Sequence, residues 1–513
     1  MSNAFSLFRS LIIYAICLPL AIFLGYLLAT PDDLVSFTLV TLVLVSLALP
    51  LFLRWHHPLL VLTWNMAATA FFLPGSPSIW LLVCGISLLI SVLQHALNKS
   101  HKFIHVPALA WPLIFLAVVV VVTAKLTGGI GIRSLGGHNM GGKRYIIFLA
   151  GIAGYFALTA RQIPPQRAKL YVGLFFLGAL TAIIGSLAAW APRSFWPVFA
   201  LFPPDYAGTE ALGGDPVMSP LNIISRSSGL AAAGIAVFAF MLAVYGTDGV
   251  FNVRKPWRWL VFLVAIVASL YGGFRSALPF YVLTLAILFY LEGSARSRLL
   301  PALILAGILA ASVALPFANK LPLSVQRSIC FLPFVEVDPI AAQDAEFSTQ
   351  WRWEMWQAIW PEVPQHLLLG KGYSIDGQQL EMLVSGMNRG LNPAAGAILS
   401  GDYHSGPFSV ILPLGIFGVV AVLWFFWAAI NVLYQNYKFS DAENQRLNRF
   451  LFAYFIVKVI FFFAVFGALY SDVALFAGLA GLSVAVNGGV RKAAKAPAES
   501  PVFTPFKFAG AAR

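Results

Sequence analysis

Residues 404–430 read HSGPFSVILPLGIFGVVAVLWFFWAAI, and no charged side chain occurs between Phe408 and Ile430. A helix needs about 20 such residues to cross the hydrocarbon core of a bilayer, so this stretch predicts a membrane span. The whole chain has the same character, since 59% of its 513 residues are hydrophobic and only 10% are charged. Soluble domains carry about 25% charged residues. The chain is therefore predicted to be an all-α polytopic integral membrane protein.

About fourteen apolar runs follow one another along the chain, which predicts about 12–14 transmembrane helices. The run near Thr63 is short and is predicted either to cross the bilayer or to be re-entrant. The first run has no small-x-small cleavage site after it and is predicted to be a retained signal anchor. The runs are centred near Ile16, Val43, Thr63, Ser87, Leu116, Gly151, Leu177, Ile235, Val264, Leu283, Gly307, Ala421, Phe461 and Ala480.

Lys and Arg residues are shared unequally between the two sides of the predicted bundle. With a cytoplasmic N-terminus, twenty of the 33 fall on the cytoplasmic side and seven in short loops on the other side. Because basic residues favour cytoplasmic loops, both termini are predicted to be cytoplasmic. Loops beside anionic lipid headgroups then explain most of the net charge of +13, and no nucleic-acid partner is predicted.

This topology leaves one large loop, residues 318–407, on the external side, and we predict that it contains short helices. Within it Trp353, Trp356 and Trp360 recur at helical spacing, which fits either an amphipathic helix among lipid headgroups or aromatics that pack the loop against the bundle. The predicted segments are N-terminal transmembrane helices (1–190), central transmembrane helices (191–317), the long loop (318–407), C-terminal transmembrane helices (408–490) and a basic, disordered cytoplasmic tail (491–513).

Several motifs of known chemistry are absent from the sequence. It contains no G-x-x-x-x-G-K-[ST], no H-E-x-x-H and no D-x-D, so neither nucleotide hydrolysis nor a metal-bound nucleotide sugar is predicted. Cys17, Cys84 and Cys330 lack the spacing of a disulfide framework or a metal site. No carboxylate lies in the middle of an apolar run, which weakens the prediction of an ion-coupled transporter. We therefore predict no metal and no cofactor.

Lys458 is the one charged residue placed plainly inside an apolar run. Such residues are functional by default, but a long lysine stem can also reach the membrane surface. The sequence places Lys458 toward the cytoplasmic side, about 12 Å from that end of its helix. It is therefore predicted to lie away from any external site.

Three basic side chains meet the external surface of the predicted bundle. Arg226 lies where the loop after Ala191 enters a span, Arg275 lies in a tight turn between two spans, and His404 ends the long loop. Two guanidinium groups suit an anionic lipid headgroup, because arginine binds phosphate oxygens with two parallel hydrogen bonds. A neutral histidine is suited to take a proton from a sugar hydroxyl. Each residue alone is as well explained by snorkelling or capping, so the prediction of a site rests on their coincidence.

Two local features are predicted to assist these residues. Backbone N–H groups at the start of the helix after Arg226 could bind an anion. Gly272, Gly273 and Gly406 could let the backbone approach a ligand closely.

The sequence around His404 resembles bacterial O-antigen ligases. His404-Ser405, nine residues and then Gly415-Ile416-Phe417-Gly418 fit the H-[NSQ]-x9-G-x-x-G signature of that family. Arg226-Ser227-Ser228-Gly229 resembles the family's Arg-x-x-Gly segment, and Arg275 stands at its later arginine, with Phe274 where serine is common. In the long loop, Arg352-x-x-x-Trp356 and Gly370-Lys371-Gly372 stand at two further superfamily positions, so the resemblance extends from about Leu212 to Val420.

This resemblance implies an inner-membrane glycosyltransferase of bacteria whose active face is periplasmic. Superfamily members take an undecaprenyl-pyrophosphate-linked glycan as donor, without metal or nucleotide. By resemblance, Arg226 and Arg275 would hold the pyrophosphate, and His404 would activate the acceptor hydroxyl for an inverting displacement. Arg352, Lys371 and Asp402 would contact the acceptor or shape the loop.

The acceptor implied by the ligase-type histidine signature is lipid A–core. A polymerase of the same superfamily, whose acceptor is a growing polysaccharide, stays open. A polytopic transporter or flippase for a lipid-linked or anionic substrate is the alternative from another class, in which the arginines would guide the substrate.

Overall fold

The computed structural model describes residues 19–23, 25, 34–73, 75–98, 102–128, 142–188, 190–205, 224, 226–293, 299–374, 398 and 401–492. Contacts divide the chain into two compact units, Met1–Leu60 and Val61–Arg513, and every site residue discussed below lies in the second. Within the described residues the regular elements are helices, and an isolated β-bridge joins Thr69 to Ser78. The prediction of an all-α protein is confirmed.

The helices are named here in chain order. They are α1 (Leu34–Thr63), α2 (Ile79–Leu97), α3 (Pro107–Thr127), α4 (Gly142–Thr159), α5 (Pro165–Ser186), α6 (Trp196–Leu201), α7 (Ser228–Val250), α8 (Pro256–Tyr271), α9 (Ala277–Glu292), α10 (Leu299–Ala314), α11 (Leu323–Ile329), α12 (Pro339–Ile359), α13 (Glu362–Gln365), α14 (Gly406–Phe439), α15 (Ala442–Ala464) and α16 (Leu469–Asn487). Helix α5 passes through a 3-10 turn at Gly178–Thr181, and further 3-10 turns occur at Arg193–Phe195 and Leu315–Lys320.

Among the described residues, seven helices are long and apolar enough to cross a membrane, namely α2, α3, α5, α7, α14, α15 and α16. Shorter apolar helices occur at Pro256–Tyr271, Ala277–Glu292 and Leu300–Leu309. The seven are fewer than the 12–14 spans predicted, partly because α1 joins the runs near Val43 and Thr63 into one helix. The run near Thr63 is therefore not a separate span. The chain is a polytopic all-α membrane protein.

Two predictions fall mainly outside the described residues. The run near Ile16, predicted to be a signal anchor, is described only at residues 19–23 and 25. Of the predicted cytoplasmic tail, only Arg491 and Lys492 are described, and Arg491 forms an ion pair of 2.8 Å with Asp441.

Proline and glycine residues set the ends of several helices. Pro107 and Pro256 stand in the first turns of α3 and α8, where a helix has no use for the N–H group that proline lacks. Gly128 and Gly488 follow α3 and α16 in the left-handed conformation that ends many helices. These local signals explain why apolar runs located the helices well.

Small residues allow the central helices to approach closely. A methyl group added at Gly151 of α4 would lie 3.0 Å from the Cα atom of Ala474 in α16. One added at Gly234 of α7 would lie 2.4 Å from the carbonyl oxygen of Ala265 in α8. Such contacts are typical of membrane bundles, where association depends on close packing and not on a hydrophobic driving force.

Helix α14 is broken at Gly415, the first glycine of the signature after His404. Gly415 has φ +64° and ψ −162°, so the helical ladder is interrupted there and the preceding carbonyl groups are released. The carbonyl oxygen of Leu412 accepts the N–H of Lys371 at 2.7 Å, and that of Pro413 accepts the N–H of Gly372 at 3.0 Å. The kink therefore provides the docking point for Lys371 and Gly372 of the long loop.

The long loop contains α11, α12 and α13, as predicted, while residues 375–397 lie outside the described part of the chain. Trp353 and Trp360 of α12 are 59% and 66% exposed, whereas Trp356 donates its Nε1–H to the carbonyl oxygen of Tyr403 at 2.9 Å. The interpretation that aromatic side chains pack the loop against the bundle is confirmed for Trp356, while Trp353 and Trp360 face outward.

We expect Gly415→Ala to undock the long loop. The added methyl group would lie 2.3 Å from the carbonyl oxygen of Leu368, and an L-residue with the φ and ψ of Gly415, a region essentially restricted to glycine, costs about 1–3 kcal/mol by itself. The midpoint of thermal unfolding of the purified protein should therefore fall, and proteases should cut the loop faster. Gly85→Ala in α2, where a methyl group meets nothing within 4 Å, is the matched control and should leave both unchanged. Equal stability of the two variants would contradict the docking role of the kink.

Candidate active site

One cavity of ≈ 710 Å³ opens between α7, α9, α12, α15 and α16. Its charged and titratable side chains come from positions far apart in the sequence, namely Arg226, Arg275, Arg327, Arg352, His404, Lys458 and Asp472. Much of the remaining wall is aromatic or aliphatic and includes Ile235, Phe280, Phe461, Phe462, Leu475 and Phe476. The three side chains singled out in the sequence, Arg226, Arg275 and His404, thus line the same cavity.

Backbone contacts hold the two arginine-bearing segments together. The N–H of Ser227 donates to the carbonyl oxygen of Gly272 at 3.2 Å, which ties the entry to α7 to the turn between α8 and α9. Gly273 completes that turn with φ +80°, a left-handed conformation that favours glycine. Arg226 comes immediately before Ser227, Arg275 comes two residues after Gly273, and both arginines line the cavity.

Asp344 of α12 is the acidic partner of two of the arginines. Its carboxylate accepts hydrogen bonds from Arg226 Nη2, at 3.0 Å to Oδ2, and from Arg327 Nε. Arg327 is buried and also donates to the carbonyl oxygen of Gly273 and, at 2.7 Å, to Ser348 Oγ. Because a buried charge is costly unless paired, this arrangement fixes α12 against the α8–α9 turn.

Arg275 and Arg352 form fewer hydrogen bonds and ion pairs than Arg226 and Arg327 do. Arg275 donates from Nη2 to Thr349 Oγ1 at 3.0 Å and forms no ion pair within 4 Å among the described residues. No described residue forms a hydrogen bond or an ion pair with the Arg352 guanidinium, which faces the cavity. These two groups therefore hold the cationic N–H donors that are free for an anionic ligand.

The arginines also repel one another electrostatically. Burial lowers the pKa of Arg226, Arg275 and Arg352, and each neighbouring guanidinium lowers it further. Arginine nevertheless remains a cation in proteins. The arginines thus concentrate positive charge in the cavity. Among the described residues, Asp344 forms ion pairs with two of them and offsets part of this charge. An anion that enters the cavity would relieve the remaining repulsion.

His404 lies between two aromatic rings at the cavity wall. Its ring centroid is 5.2 Å from that of Trp351 and 5.0 Å from that of Phe466. The backbone of His404 has φ +48°, an unusual and strained conformation for a residue other than glycine. Buried Tyr403, whose carbonyl is held by Trp356, anchors the backbone just before it. His404 thus lines the cavity in a backbone conformation that few residues other than glycine adopt.

The electrostatic environment of His404 favours the neutral imidazole. Burial lowers the pKa of His404, Asp402 partly opposes this shift, and Arg352 adds to it. A neutral imidazole near pH 7 can accept a proton, as a general base must. Asp402 does not line the cavity and acts on His404 through its charge, with its Oδ1 atom buried and without a hydrogen bond.

Lys371 lies outside the cavity lining. Its Nζ atom is 2.7 Å from Glu362 Oε2 and lies over the ring of Tyr403. Burial by itself would lower the pKa of Lys371, but Tyr403 and Glu362 raise it above its ordinary value. In this structure Lys371 holds the long loop to α14 and has no direct contact with the cavity. Arg352, the third residue predicted at the acceptor or in the loop, does line it.

The prediction that the start of α7 offers free N–H groups is wrong. Asp205 Oδ2 accepts the N–H groups of Ser228 and Gly229, at 2.6 and 3.2 Å, and Ser227 Oγ accepts the N–H of Leu230 at 3.2 Å. The helix is thus capped by its own chain. Asp205 belongs to the loop after Ala191, and residues 206–223 of that loop are outside the described part.

The glycines near the site serve the packing of the protein itself and not the approach of a ligand. A methyl group at Gly272 would lie 2.8 Å from the carbonyl oxygen of Ser227, and one at Gly406 would lie 2.1 Å from that of Phe462. Gly273 is required for its turn, as described above. The prediction that these glycines let the backbone approach a ligand is therefore wrong.

The predicted position of Lys458 is also wrong, because this residue lines the cavity together with Arg275 and His404. Helix α15 begins at Ala442 and ends at Ala464, so Lys458 is only six residues, about 9 Å, from its C-terminal end. The apolar run begins several residues after the start of α15. The distance of Lys458 from the cytoplasmic end of the helix was therefore predicted to be too short. Asp472, in the first turn of α16, lines the same part of the cavity.

Arg327 and Asp344 were not predicted at all. A sequence signal exists for Asp344, because Asp344, Ser348, Thr349 and Arg352 recur at the spacing of one helical face. That face of α12 is the one that meets the arginines. For Arg327 no local pattern distinguishes it from other loop arginines, and only the packing of α11 reveals its role. In the described part of the chain, no three His, Cys, Asp or Glu side chains are grouped so as to hold a metal ion.

Comparison with known families bears on the same region. A comparison with curated proteins finds no match to this chain. Residues 260–423 match the family described as O-antigen ligase. The matched range contains the cavity residues Arg275, Arg327, Arg352 and His404 together with Asp344. Residues 260–423 are therefore similar to the O-antigen ligase family, and this match supports a place for the chain in the O-antigen ligase and polymerase superfamily.

Proposed function

We propose that the protein transfers a glycan from an undecaprenyl-pyrophosphate donor to a hydroxyl group of an acceptor sugar, as an O-antigen ligase with lipid A–core as acceptor. The observation that carries this proposal is the single cavity that joins Arg226, Arg275, Arg352 and His404. The O-antigen ligase match over residues 260–423 supports the same class of reaction. We place the protein in the bacterial inner membrane with this cavity on the periplasmic side.

The cavity is lined by both basic and apolar side chains, which suits an amphiphilic donor. Guanidinium groups offer paired hydrogen bonds to phosphate oxygens, and they do so most strongly where water is largely excluded. The aromatic and aliphatic wall formed by Phe280, Phe461 and Phe476 suits a polyprenyl chain. A donor that carries a pyrophosphate on a polyprenyl tail would place its charged and apolar parts against matching walls.

The transfer step follows from these positions. His404 takes the proton of the acceptor hydroxyl, and the resulting oxygen nucleophile attacks the anomeric carbon of the donor. The bond between that carbon and the pyrophosphate oxygen breaks, and the electron pair leaves with the polyprenyl pyrophosphate. Arg226, Arg275 and Arg352 stabilise the negative charge that develops on this leaving group. Attack from the face opposite the leaving group inverts the anomeric configuration.

A polymerase is the alternative within the same superfamily. It would use the same leaving group and the same base, and it would differ in accepting a growing lipid-linked polysaccharide. Parallel assays with lipid A–core and with a lipid-linked repeat as acceptor separate the two functions. Movement of the donor across the membrane without any transfer would favour the transporter alternative.

We expect His404→Ala to abolish most glycan transfer by purified protein in liposomes that contain the lipid-linked donor and the acceptor. Loss of a general base typically lowers the rate about 10²–10⁴-fold. His366→Ala, which alters a histidine of the long loop that does not line the cavity, should transfer at the wild-type rate. A folded His404→Ala variant with wild-type activity would exclude His404 as the base.

Arg275→Lys should lose most activity, although it retains the positive charge. A lysine ammonium cannot reproduce the planar, two-pronged contact of a guanidinium with phosphate, so we expect a fall in the transfer rate of about tenfold or more. Arg193→Lys, at an exposed 3-10 turn, controls for the substitution itself. Wild-type kinetics in Arg275→Lys would show that Arg275 is a lipid anchor only.

The pH profile of transfer should reflect the environment of His404. Because the pKa of His404 is lowered, the base stays neutral, and transfer persists, to a pH below the ordinary histidine value of about 6.5. Asp402→Asn removes the charge that opposes this shift, so the acidic limb of the profile should move to still lower pH. Asp441→Asn, at an exposed ion pair, should not move it. An acidic limb that moves upward in Asp402→Asn would contradict this assignment.

A further inference from the structure

Lys458 is the one cation in the cavity wall that comes from the middle of a membrane-spanning helix. Its Nζ atom lies 5.0 Å from the ring centroid of Phe280 and 5.7 Å from that of Tyr454. Phe280 lies in the first turn of α9, five residues beyond Arg275. The ammonium of Lys458 therefore lies beside the first turn of α9, the helix that follows Arg275.

Lys458 has no close polar partner in the described part of the chain. It forms no hydrogen bond and no ion pair within 4 Å there, and its electrostatic attraction to Asp472 acts over a longer distance. Asp472 itself is engaged elsewhere, since its Oδ2 atom accepts the N–H of Ala468 at 2.8 Å. A lysine within a membrane span is costly, and such residues pair with another charge or mark a substrate path.

Snorkelling to the membrane surface does not explain this residue. The stem of Lys458 runs toward the cavity and not toward the helix end, because its ammonium lies among Phe280, Tyr454 and the cavity space. The cavity wall that Lys458 shares includes Asp472 and the apolar side chains of Phe461, Phe462 and Leu475. A single ammonium with free donors in such a wall is suited to an anion that carries an apolar tail.

We propose that Lys458 binds the phosphate that is esterified to the polyprenyl chain of the donor. The assignment rests on the proposed function, and it divides the pyrophosphate between two sets of cations. The arginines contact the phosphate attached to the glycan, and Lys458 contacts the phosphate beside the lipid tail. When the glycan leaves, the polyprenyl pyrophosphate gains a negative charge, and Lys458 helps to hold it in the cavity.

Binding of short lipid phosphates to the purified full-length protein tests this assignment without any transfer reaction. Farnesyl phosphate carries only the phosphate next to the tail, farnesyl pyrophosphate carries both phosphates, and inorganic pyrophosphate has no tail. For Lys458→Met we expect the affinity for farnesyl phosphate and farnesyl pyrophosphate to fall about tenfold or more, as for a lost charge-assisted hydrogen bond. The affinity for inorganic pyrophosphate should fall less, since it can bind at the arginines alone.

Lys438→Met is the matched control. Lys438 also lies over two aromatic rings, those of Tyr434 and Phe439, at 5.8 and 5.5 Å, but it does not line the cavity. Its loss should leave all three affinities unchanged. Arg275→Gln should show the opposite selectivity to Lys458→Met, with a larger loss for inorganic pyrophosphate than for farnesyl phosphate.

A folded Lys458→Met protein that binds both farnesyl ligands as the wild type does would overturn the assignment. If the methionine variant does not fold, Lys458→Gln gives the same comparison with a polar group kept in the cavity. Failure of the proposed function is a separate result: the wild-type protein would then bind farnesyl pyrophosphate but form no transfer product in liposomes. In that case the binding data would still decide whether Lys458 holds the inner phosphate.

Discussion

The central constraint in this protein is the burial of several positive charges in one small space at the edge of a membrane. Arg226, Arg275, Arg327 and Arg352 line a single cavity, and neighbouring guanidinium groups lower the pKa of Arg226, Arg275 and Arg352. In a surrounding of low polarity, such charges are unfavourable unless something of opposite sign meets them. Asp344 forms ion pairs with two of them, while the remaining repulsion favours the binding of an anion.

Contacts elsewhere in the fold position α12 and His404 next to the arginines of the cavity. The break in α14 at Gly415 frees two carbonyl groups that bind the long loop, and Trp356 of α12 holds the carbonyl of Tyr403 beside His404. Both contacts use backbone groups, so they fix the path of the chain more than any one side chain. The signature that joins the histidine to two later glycines is thus explained in part by architecture, because Gly415 allows the long loop to dock on α14 next to His404.

The apolar half of the cavity gives the site its relation to the membrane. Its walls come from α7, α9, α15 and α16, and Lys458 lines the same cavity as these apolar residues and the arginines. A ligand with a charged head and a long apolar tail fits both halves at once, which a free sugar phosphate would not do. The arrangement therefore links the class of reaction to the physical form of the donor.

The sequence by itself determined the helical, membrane-embedded character of the chain, because apolar runs bounded by Pro and Gly leave few other solutions. It also identified Arg226, Arg275 and His404, since these residues stand in recognisable motifs at the ends of predicted spans. The sequence could not determine how deep Lys458 lies, because that position depended on where α15 begins. It also could not determine the partners of the N–H groups at the start of α7, which bind Asp205, a residue 23 positions before Ser228. Only the tertiary structure decided that Arg327 and Asp344 join the arginines, because a pairing between residues of different helices follows from lateral packing, which no local pattern records.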